Sequence, residues 1–370
     1  MKAYVLKNIA DISFEEAPEP VFDGKGIDGA ASFASVKDDD CVIVKVRAAG
    51  ICGSDIPRIY KTGAYHHPMI PGHEFSGEIT AIGGNVPKEA LGKRAGIFPL
   101  IPCGECTPCK SGKYEMCRHY NYLGSRCNGG FAEFVKVPFW NIVYLPDEVS
   151  FEQAAMLEPL SVSLHAIRRS GIETRADKID RDLPIAVCGM GTIGLFTVMH
   201  LRGLGYKNIL CMGNKDHQKK ALLELGVDES SYLDIRSGDA VSFIREKTCG
   251  EGAEFFFECV GRNEVISTGL NSLAPSGHLQ LVGNPASDMT LGKDEYWKIL
   301  RQQFTVTGTW NSSFSHSPDD DWTAVLDALR SGMISPEKLI SHRLSLPDLE
   351  KGFEIMRDKK EGYIKVMCLM

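Results

Sequence analysis

A soft thiol, an imidazole and carboxylates lie close together in Cys52-Gly53-Ser54-Asp55 and Pro71-Gly72-His73-Glu74. Cys, His and Asp/Glu are the side chains that build a catalytic zinc site. Spacing alone does not bring the two halves together, and a buried free cysteine beside a surface histidine is the plain alternative. Further on, Glu158 sits in the apolar run Met156-Leu157-Glu158-Pro159-Leu160. It is either a helix residue whose apolar neighbours face away or a buried carboxylate with a cationic or metal partner, which adds it to the metal candidates.

A second constellation is Cys103-Gly104-Glu105-Cys106-Thr107-Pro108-Cys109 followed by Cys117. Short Cys-x2-Cys turns let thiolates converge on one ion, and four of them give the closed shell of a structural zinc site. An iron–sulfur cluster is the competing reading, weakened because Cys117 does not follow at the Cys-x3-Cys-Pro spacing. Such a site clamps a lobe with little core of its own and contributes folding energy rather than chemistry.

The third is Gly189-Met190-Gly191-Thr192-Ile193-Gly194, preceded by the apolar strand pattern Leu183–Cys188 and followed by an apolar helix pattern. In that context Gly189 permits the tight turn, Gly191 lets backbone approach a pyrophosphate, and Gly194 allows close helix–strand packing. The helix start at Thr192 and Ile193 then faces the phosphates. After the second strand, where an NAD-binding domain carries an acid for the ribose diol, the chain reads Gly213-Asn214-Lys215. A missing acid and a nearby lysine favour a 2′-phosphate and hence NADP; Asp216, after a small register shift, keeps NAD open. Val260 and Gly283 close two further strand patterns and are expected to border the nicotinamide.

These residues need two scaffolds. Residues 1–160 show short strands and frequent glycine, a mostly β domain of barrel type, with an unexplained polar excursion over residues 18–40. Residues 161–300 alternate strand and helix patterns, which fits a parallel sheet with helices on both faces. Residues 301–370 are expected to return to the first domain. A strand such as Leu279–Val282 is a candidate subunit interface.

The 370 residues suit two domains, and 24% charged with 43% hydrophobic residues is ordinary for a globular protein. A net charge of -7 without a basic block argues against nucleic acid. The N-terminus lacks an apolar signal region and no stretch suits a membrane span, so a cytoplasmic protein is expected. There, the twelve cysteines are metal ligands, nucleophiles or small buried hydrophobes rather than disulfides.

Taken with Gly129-Gly130-Phe131-Ala132-Glu133, Glu158-Pro159 and Gly362-Tyr363-Ile364-Lys365-Val366, these motifs resemble the zinc-dependent medium-chain dehydrogenase/reductase family over nearly the whole chain. Cys52–Arg58, Gly72–Gly77, Leu123–Arg126, Gly308–Trp310 and His342-Arg343 narrow the resemblance to its polyol-phosphate branch. The resemblance implies a GroES-like catalytic barrel and a Rossmann domain. It implies one catalytic zinc on Cys52, His73 and Glu158, with Glu74 approaching the metal directly or through water. It also implies one structural zinc on Cys103, Cys106, Cys109 and Cys117, and Ser54 as proton relay.

The implied reaction is hydride transfer between a polyol phosphate, of the galactitol 1-phosphate type, and its keto-sugar phosphate, with NADP(H) preferred. Zinc acidifies the alcohol and polarises the carbonyl. Arg58 and Arg126 are the candidate phosphate grips, since a guanidinium holds phosphate by a two-pronged hydrogen bond; a structural salt bridge is the alternative for Arg126. His66, His67 and Arg343 are weaker candidates. Two other readings stand: a dehydrogenase of unphosphorylated polyols, diols or secondary alcohols, and a non-catalytic zinc- and NADP-binding regulatory protein. A homodimer or homotetramer is expected.

Overall fold

The structure is a computed structural model, and it describes residues 1–27, 36–174 and 180–370. It divides into two compact units, Met1–Glu158 with Ser312–Met370, and Pro159–Asn311.

The first unit opens with a hairpin of β1 (Lys2–Asn8) and β2 (Asp11–Glu16). The long strand β3 (Cys41–Ile51) follows, with Val42, Val44 and Val46 buried on one face, the period-two pattern of β-branched residues in a half-buried strand. Then come β4 (Glu74–Ile82), β5 (Arg94–Ile97), β6 (Leu100–Ile101), β7 (Asn121–Tyr122), β8 (Phe134–Pro138) and β9 (Ile142–Tyr144).

In the second unit β10 (Ile185–Cys188), β11 (Ile209–Gly213), β12 (Tyr232–Asp234), β13 (Ala253–Glu258), β14 (Leu273–Leu281) and β15 (Thr305–Gly308) form one sheet. Its order is β12-β11-β10-β13-β14-β15, all parallel, the 3-2-1-4-5-6 arrangement of a dinucleotide-binding fold. Its core gathers Ala186, Leu210, Met212, Phe256, Leu270 and Leu279. The chain then supplies β16 (Ile340–Ser345) and β17 (Lys365–Leu369) to the first unit, whose main sheet runs β16-β17-β3-β4-β5-β9 with β8 also on β3.

Two expectations change. Thr305–Gly308 lies in the stretch assigned to the returning tail, but it pairs with β14 as the edge of the second sheet. Its Thr-Val-Thr-Gly sequence reads as a strand, but nothing in it chooses between the two sheets. Leu279–Leu281 is hydrogen-bonded on both sides, to β13 and β15, and so offers no edge to a second subunit. Part of the 18–40 excursion, residues 28–35, lies outside the described residues. The rest is anchored through Asp38, which accepts from the Gly24 N–H at 2.6 Å and from Lys136 Nζ at 2.7 Å.

Candidate active site and cofactor turn

Sheet register brings the two halves of the metal constellation together. β3 and β4 are antiparallel with Gly50 opposite Glu74, so the chain leaving β3 at Cys52 lies beside the chain entering β4 at His73. The His73 loop is fastened from outside. The Gly129, Gly130 and Phe131 N–H groups donate to the carbonyls of Ile70, Gly72 and Pro71 at 2.8, 2.8 and 3.0 Å. Gly72 has φ +98°, and a Cβ there would stand 2.6 Å from the Phe131 ring. The Gly129-Gly130 pair therefore serves as a strap on the histidine loop, beyond the simple turn its sequence indicates.

The ligand atoms of Cys52, His73 and Glu74 lie within 4.8 Å of one another. Thiolate, imidazole and carboxylate are a donor set for catalytic zinc, and their convergence is the geometry such an ion needs. Ser54 Oγ donates to Cys52 Sγ at 3.4 Å, so its hydroxyl stands at the edge of the cluster. Glu158, at the start of the helix Leu157–Ser170, is buried and accepts the Tyr122 hydroxyl at 3.1 Å on Oε1. It stands outside the close triad, near enough for the charges of His73 and Glu74 to act on it. Burial pushes its carboxyl up to about 7, against the pull of His73. Burial, then the Glu158 charge, likewise holds the Tyr122 phenol well above its ordinary range.

Three further residues support the cluster. The first is Asp55, a carboxylate of the opening stretch whose supporting role its spacing does not show, and it is fully buried. It accepts from the Cys52 N–H at 3.0 Å and from Arg58 Nη1 at 2.7 Å, and its Oδ1 lies 3.4 Å from His73 Nδ1. Burial alone would raise its carboxyl; the charges of His73 and Arg58 outweigh it and hold it low. Burial lowers the His73 imidazole in turn, but Asp55 and Cys52 outweigh that and hold it well above 6.5 in the metal-free chain. With Nδ1 turned to Asp55, Nε2 is the nitrogen available to a metal.

The second is Lys365. β17 pairs with β3 so that Val366 faces Ile51, which brings Lys365 beside the Cys52 end. Lys365 Nζ ion-pairs with Glu74 Oε2 and donates to the Ile51 carbonyl at 3.2 Å. A Cβ on Gly50 would collide with both partners of that pair. The third is Tyr122, whose ring stands edge-on to His73 with centroids 5.8 Å apart. A lysine inside the apolar Val366–Leu369 strand context was the one signal in the sequence for such a partner.

The four-cysteine lobe closes on itself. Cys106 Sγ lies 3.4 Å from Cys109 Sγ and 3.9 Å from Cys117 Sγ, and Cys103 Sγ lies 4.0 Å from Cys109 Sγ. Four sulfurs at about 2.3 Å from one zinc stand about 3.8 Å apart in a tetrahedron, so the spacing fits a structural zinc. The Arg118 and Cys109 N–H groups bring the Cys106 thiol down to about 6, toward the thiolate a metal needs.

The glycine turn of the second unit fits a dinucleotide. Gly189 has φ +99°, a Cβ on Gly194 would meet the Gly189 carbonyl at 1.8 Å, and the space around Gly191 is open. The helix Thr192–Gly203 begins there with no side-chain cap, and the positive end of its dipole favours an anion. Val260 and Gly283 come together, a Gly283 Cβ falling 2.6 Å from the Val260 carbonyl carbon. Glu258 fixes that edge by accepting the N–H groups of Val260 and Gly261 at 2.8 and 2.7 Å. Gly213 ends β11 with Asn214 and Lys215 after it, Lys215 at the N-cap of the next helix. Another cation is present: Arg236, just past β12, donates from Nε to Asp234 Oδ1 at 2.9 Å and from Nη2 to Asp234 Oδ2, and pairs with Asp216.

The two phosphate candidates part company. Arg58 is turned inward onto Asp55. Arg126 is held between the Tyr65 and Tyr120 rings, its guanidinium carbon 4.2 Å from each centroid, with Nη1 on the Tyr120 carbonyl and Nη2 on the Tyr65 hydroxyl. Tyr120 is 6.1 Å from Tyr122, ring to ring, so Arg126 connects to the metal cluster through two aromatic side chains. His66 Nε2 lies 3.0 Å from the Arg126 carbonyl, His67 Nε2 accepts from the Ala64 N–H, and Arg343 pairs with Glu152.

The mainly antiparallel sheet of the first unit, the parallel sheet of the second and both cysteine-bearing clusters define a zinc-dependent, NAD(P)-linked dehydrogenase. Residues 38–147 match the alcohol dehydrogenase GroES-like domain, and residues 192–331 match the zinc-binding dehydrogenase domain. The chain belongs to the zinc-dependent medium-chain dehydrogenase/reductase family.

Among its relatives, galactitol 1-phosphate 5-dehydrogenase of Escherichia coli K12 is 31% identical over 332 residues, 89% of this chain and 93% of the relative. A crystal structure of the Escherichia coli galactitol-1-phosphate dehydrogenase superposes with a TM-score of 0.87 at 28% identity, covering 100% of both chains. L-idonate 5-dehydrogenase of Vitis vinifera is 32% identical over 323 residues, 85% of this chain and 84% of the relative. A zinc-binding dehydrogenase of Sinorhizobium meliloti 1021, solved bound to NADP, superposes with a TM-score of 0.85 at 26% identity, covering 100% and 99%. No described helix is long and apolar enough to cross a membrane.

Proposed function

We propose that this dehydrogenase interconverts a polyol phosphate and the corresponding keto-sugar phosphate, with NADP(H) preferred over NAD(H). The observation that carries the substrate reading is Arg126, a guanidinium fixed between two tyrosine rings and linked to His73 by Tyr120 and Tyr122. Only two of its five N–H donors are engaged among the described residues, so an in-plane edge remains for phosphate. The polyol-phosphate substrate named for the Escherichia coli relative supports the same class. The cofactor reading rests on Gly213, which removes the ribose-facing acid, and on Lys215 and Arg236 nearby; the Sinorhizobium relative's NADP is in keeping with it.

Cys52, His73 and a carboxylate would hold zinc, which would supply a Lewis acid at the substrate oxygen, and the dinucleotide would supply the hydride acceptor or donor. The chain's own residues do the rest. Ser54 Oγ, at the rim of the cluster, takes the alcohol proton outward. Asp55 fixes the imidazole's orientation, and Lys365 holds Glu74 Oε2, so that only its other oxygen is free to turn to the ion. Tyr122 steadies Glu158.

Steady-state assays on matched phosphorylated and free polyols, with both cofactors, test this reading. Arg126→Ala should raise KM about tenfold or more for the phosphorylated substrate and leave the free polyol nearly unchanged. Equal efficiency of the wild type on both substrates would instead favour the unphosphorylated-polyol reading.

The reading extends to a homodimer. β15 leaves its outer edge unpaired among the described residues, with Val306 exposed, and the neighbouring Trp310, Tyr296, Trp297 and Leu300 are at least half exposed. An exposed edge with apolar flanks pairs readily with a second copy of itself. Val306→Pro should convert the dimer to a monomer in sedimentation velocity; an unchanged mass would remove β15 as the interface.

A further inference from the structure

The end of β11 is crowded from an unexpected side. β12 pairs with β11 so that Tyr232 lies opposite Cys211 and Asp234 opposite Gly213. From Tyr232 the long phenol runs along the sheet toward the cofactor turn. A Cβ built on Gly213 would stand 3.2 Å from the Tyr232 hydroxyl, and 3.1 and 3.3 Å from Cγ and Cβ of Met190 in the glycine turn. Those separations are tighter than most real Cβ contacts, so a side chain at position 213 requires its neighbours to give by a few tenths of an ångström, and the aromatic ring is the rigid partner. Met190 is flexible and gives way more readily.

The hydroxyl is itself unusual. Tyr232 is 8% exposed, and among the described residues its oxygen has no hydrogen-bond partner. A buried hydroxyl without a partner costs free energy, so its presence is not explained by packing alone. Burial also pushes the phenol up to about 12, so it stays neutral wherever the enzyme works.

We propose that Tyr232 is a specificity-determining residue for the dinucleotide: its phenol takes the volume that a side chain at position 213 needs, so β12 excludes the acid that would grip the adenosine ribose. The inference rests on the dinucleotide reading of this turn and deepens its preference for NADP. Gly213 and Tyr232 form a matched pair, and exchanging Gly213 alone does not convert the cofactor. With the phenol oxygen in place, the carboxylate introduced by Gly213→Asp has no room to reach the ribose; with a phenylalanine ring in place it has.

The test is a double-mutant cycle on the full-length zinc-loaded protein, without substrate. NADPH and NADH dissociation constants are read by quenching of protein fluorescence, alongside thermal midpoints. Gly213→Asp alone should leave NADH binding no tighter than wild type and lower the midpoint. Adding Tyr232→Phe should tighten NADH about tenfold relative to Gly213→Asp. Gly213→Ala, which adds only the Cβ, should lose thermal stability and recover it with Tyr232→Phe, so the steric claim stays testable if the acidic variant folds poorly. Tightening of NADH by Gly213→Asp alone, as strong as in the double variant, would overturn the proposal. So would Gly213→Ala and its Tyr232→Phe double unfolding at the same temperature. Wild-type constants decide the NADP preference separately: tighter NADH than NADPH binding would sink that preference, while the coupling between Gly213 and Tyr232 is read from the variants regardless.

Discussion

The Tyr122 hydroxyl donates to Glu158 Oε1 at 3.1 Å, inside a site where Glu158 is only 8% exposed. One phenol is not enough to offset the burial of that carboxylate, which in the metal-free chain is pushed from 4.5 up to about 7. The acid is thus poorly kept by its described neighbours, and a dication bound beside it would reverse that balance.

The sign of the resulting pH dependence is fixed. A carboxyl with a raised folded-state value binds more protons folded than unfolded between pH 4.5 and about 7, so metal-free stability falls as pH rises through that window. The full effect is on the order of 3 kcal/mol. Glu158→Gln should therefore raise the thermal midpoint of zinc-stripped protein at pH 8, with the gain fading toward pH 4.5. A gain independent of pH would mean that the carboxylate charge is not its source.

Lys365 and Glu74 are both 2% exposed at their side chains, so removing one strands the other. Lys365→Met should cost about 3–5 kcal/mol in urea unfolding, and Lys365→Met with Glu74→Gln should recover most of it. Failure of the second substitution to rescue would count against the pair as the cause.

Asp55 stands beside His73 Nδ1 and is itself held by Arg58, so both would act on a bound metal only through His73. Asp55→Asn should weaken zinc retention roughly 10–100-fold in competition with a chelator while leaving the fold intact. Arg58→Ala should shift activity on phosphorylated and free polyols by the same factor, because its guanidinium serves Asp55. A loss confined to phosphorylated substrate would return Arg58 to the phosphate site.

The four-cysteine lobe should behave as a separate metal centre. Cys106→Ser should reduce bound zinc from two ions to one by elemental analysis and lower Tm by roughly 10 °C. Two ions retained with an unchanged Tm would contradict a structural role.

Much of this was legible in the chain itself, and the reasons differ by residue. Cys103 to Cys117 and Gly189 to Gly194 carry their meaning in local spacing, because short turns alone converge the ligands or open the helix end. Cys52, His73 and Glu158 were legible as types, but only the β3–β4 register brings the first two together. Asp55 was legible as a carboxylate of the opening stretch but not in its role beside His73, and Lys365 and Arg236 were not legible as site residues, because each gains its role from a partner chosen by tertiary pairing. Arg58 shows the converse: its type allowed a phosphate grip, and a fully buried acid three residues away claims it. β15 was assigned to the wrong unit because Thr-Val-Thr-Gly looks the same on either sheet.

The strand carrying Lys365 has a consequence for how the protein is made. Its contact with Glu74 closes a separation of 291 residues. Contacts that distant form late, after shorter loops have closed. Cys52 and His73 lie far ahead of β17 in the chain, so the acid beside them is seated only once that strand docks. Zinc capture at the Cys52 centre would then wait for that contact, whereas the four cysteines all lie within Cys103–Cys117 and can converge as soon as their lobe is made. Expression under zinc limitation should accordingly yield molecules holding the structural ion and lacking the catalytic one.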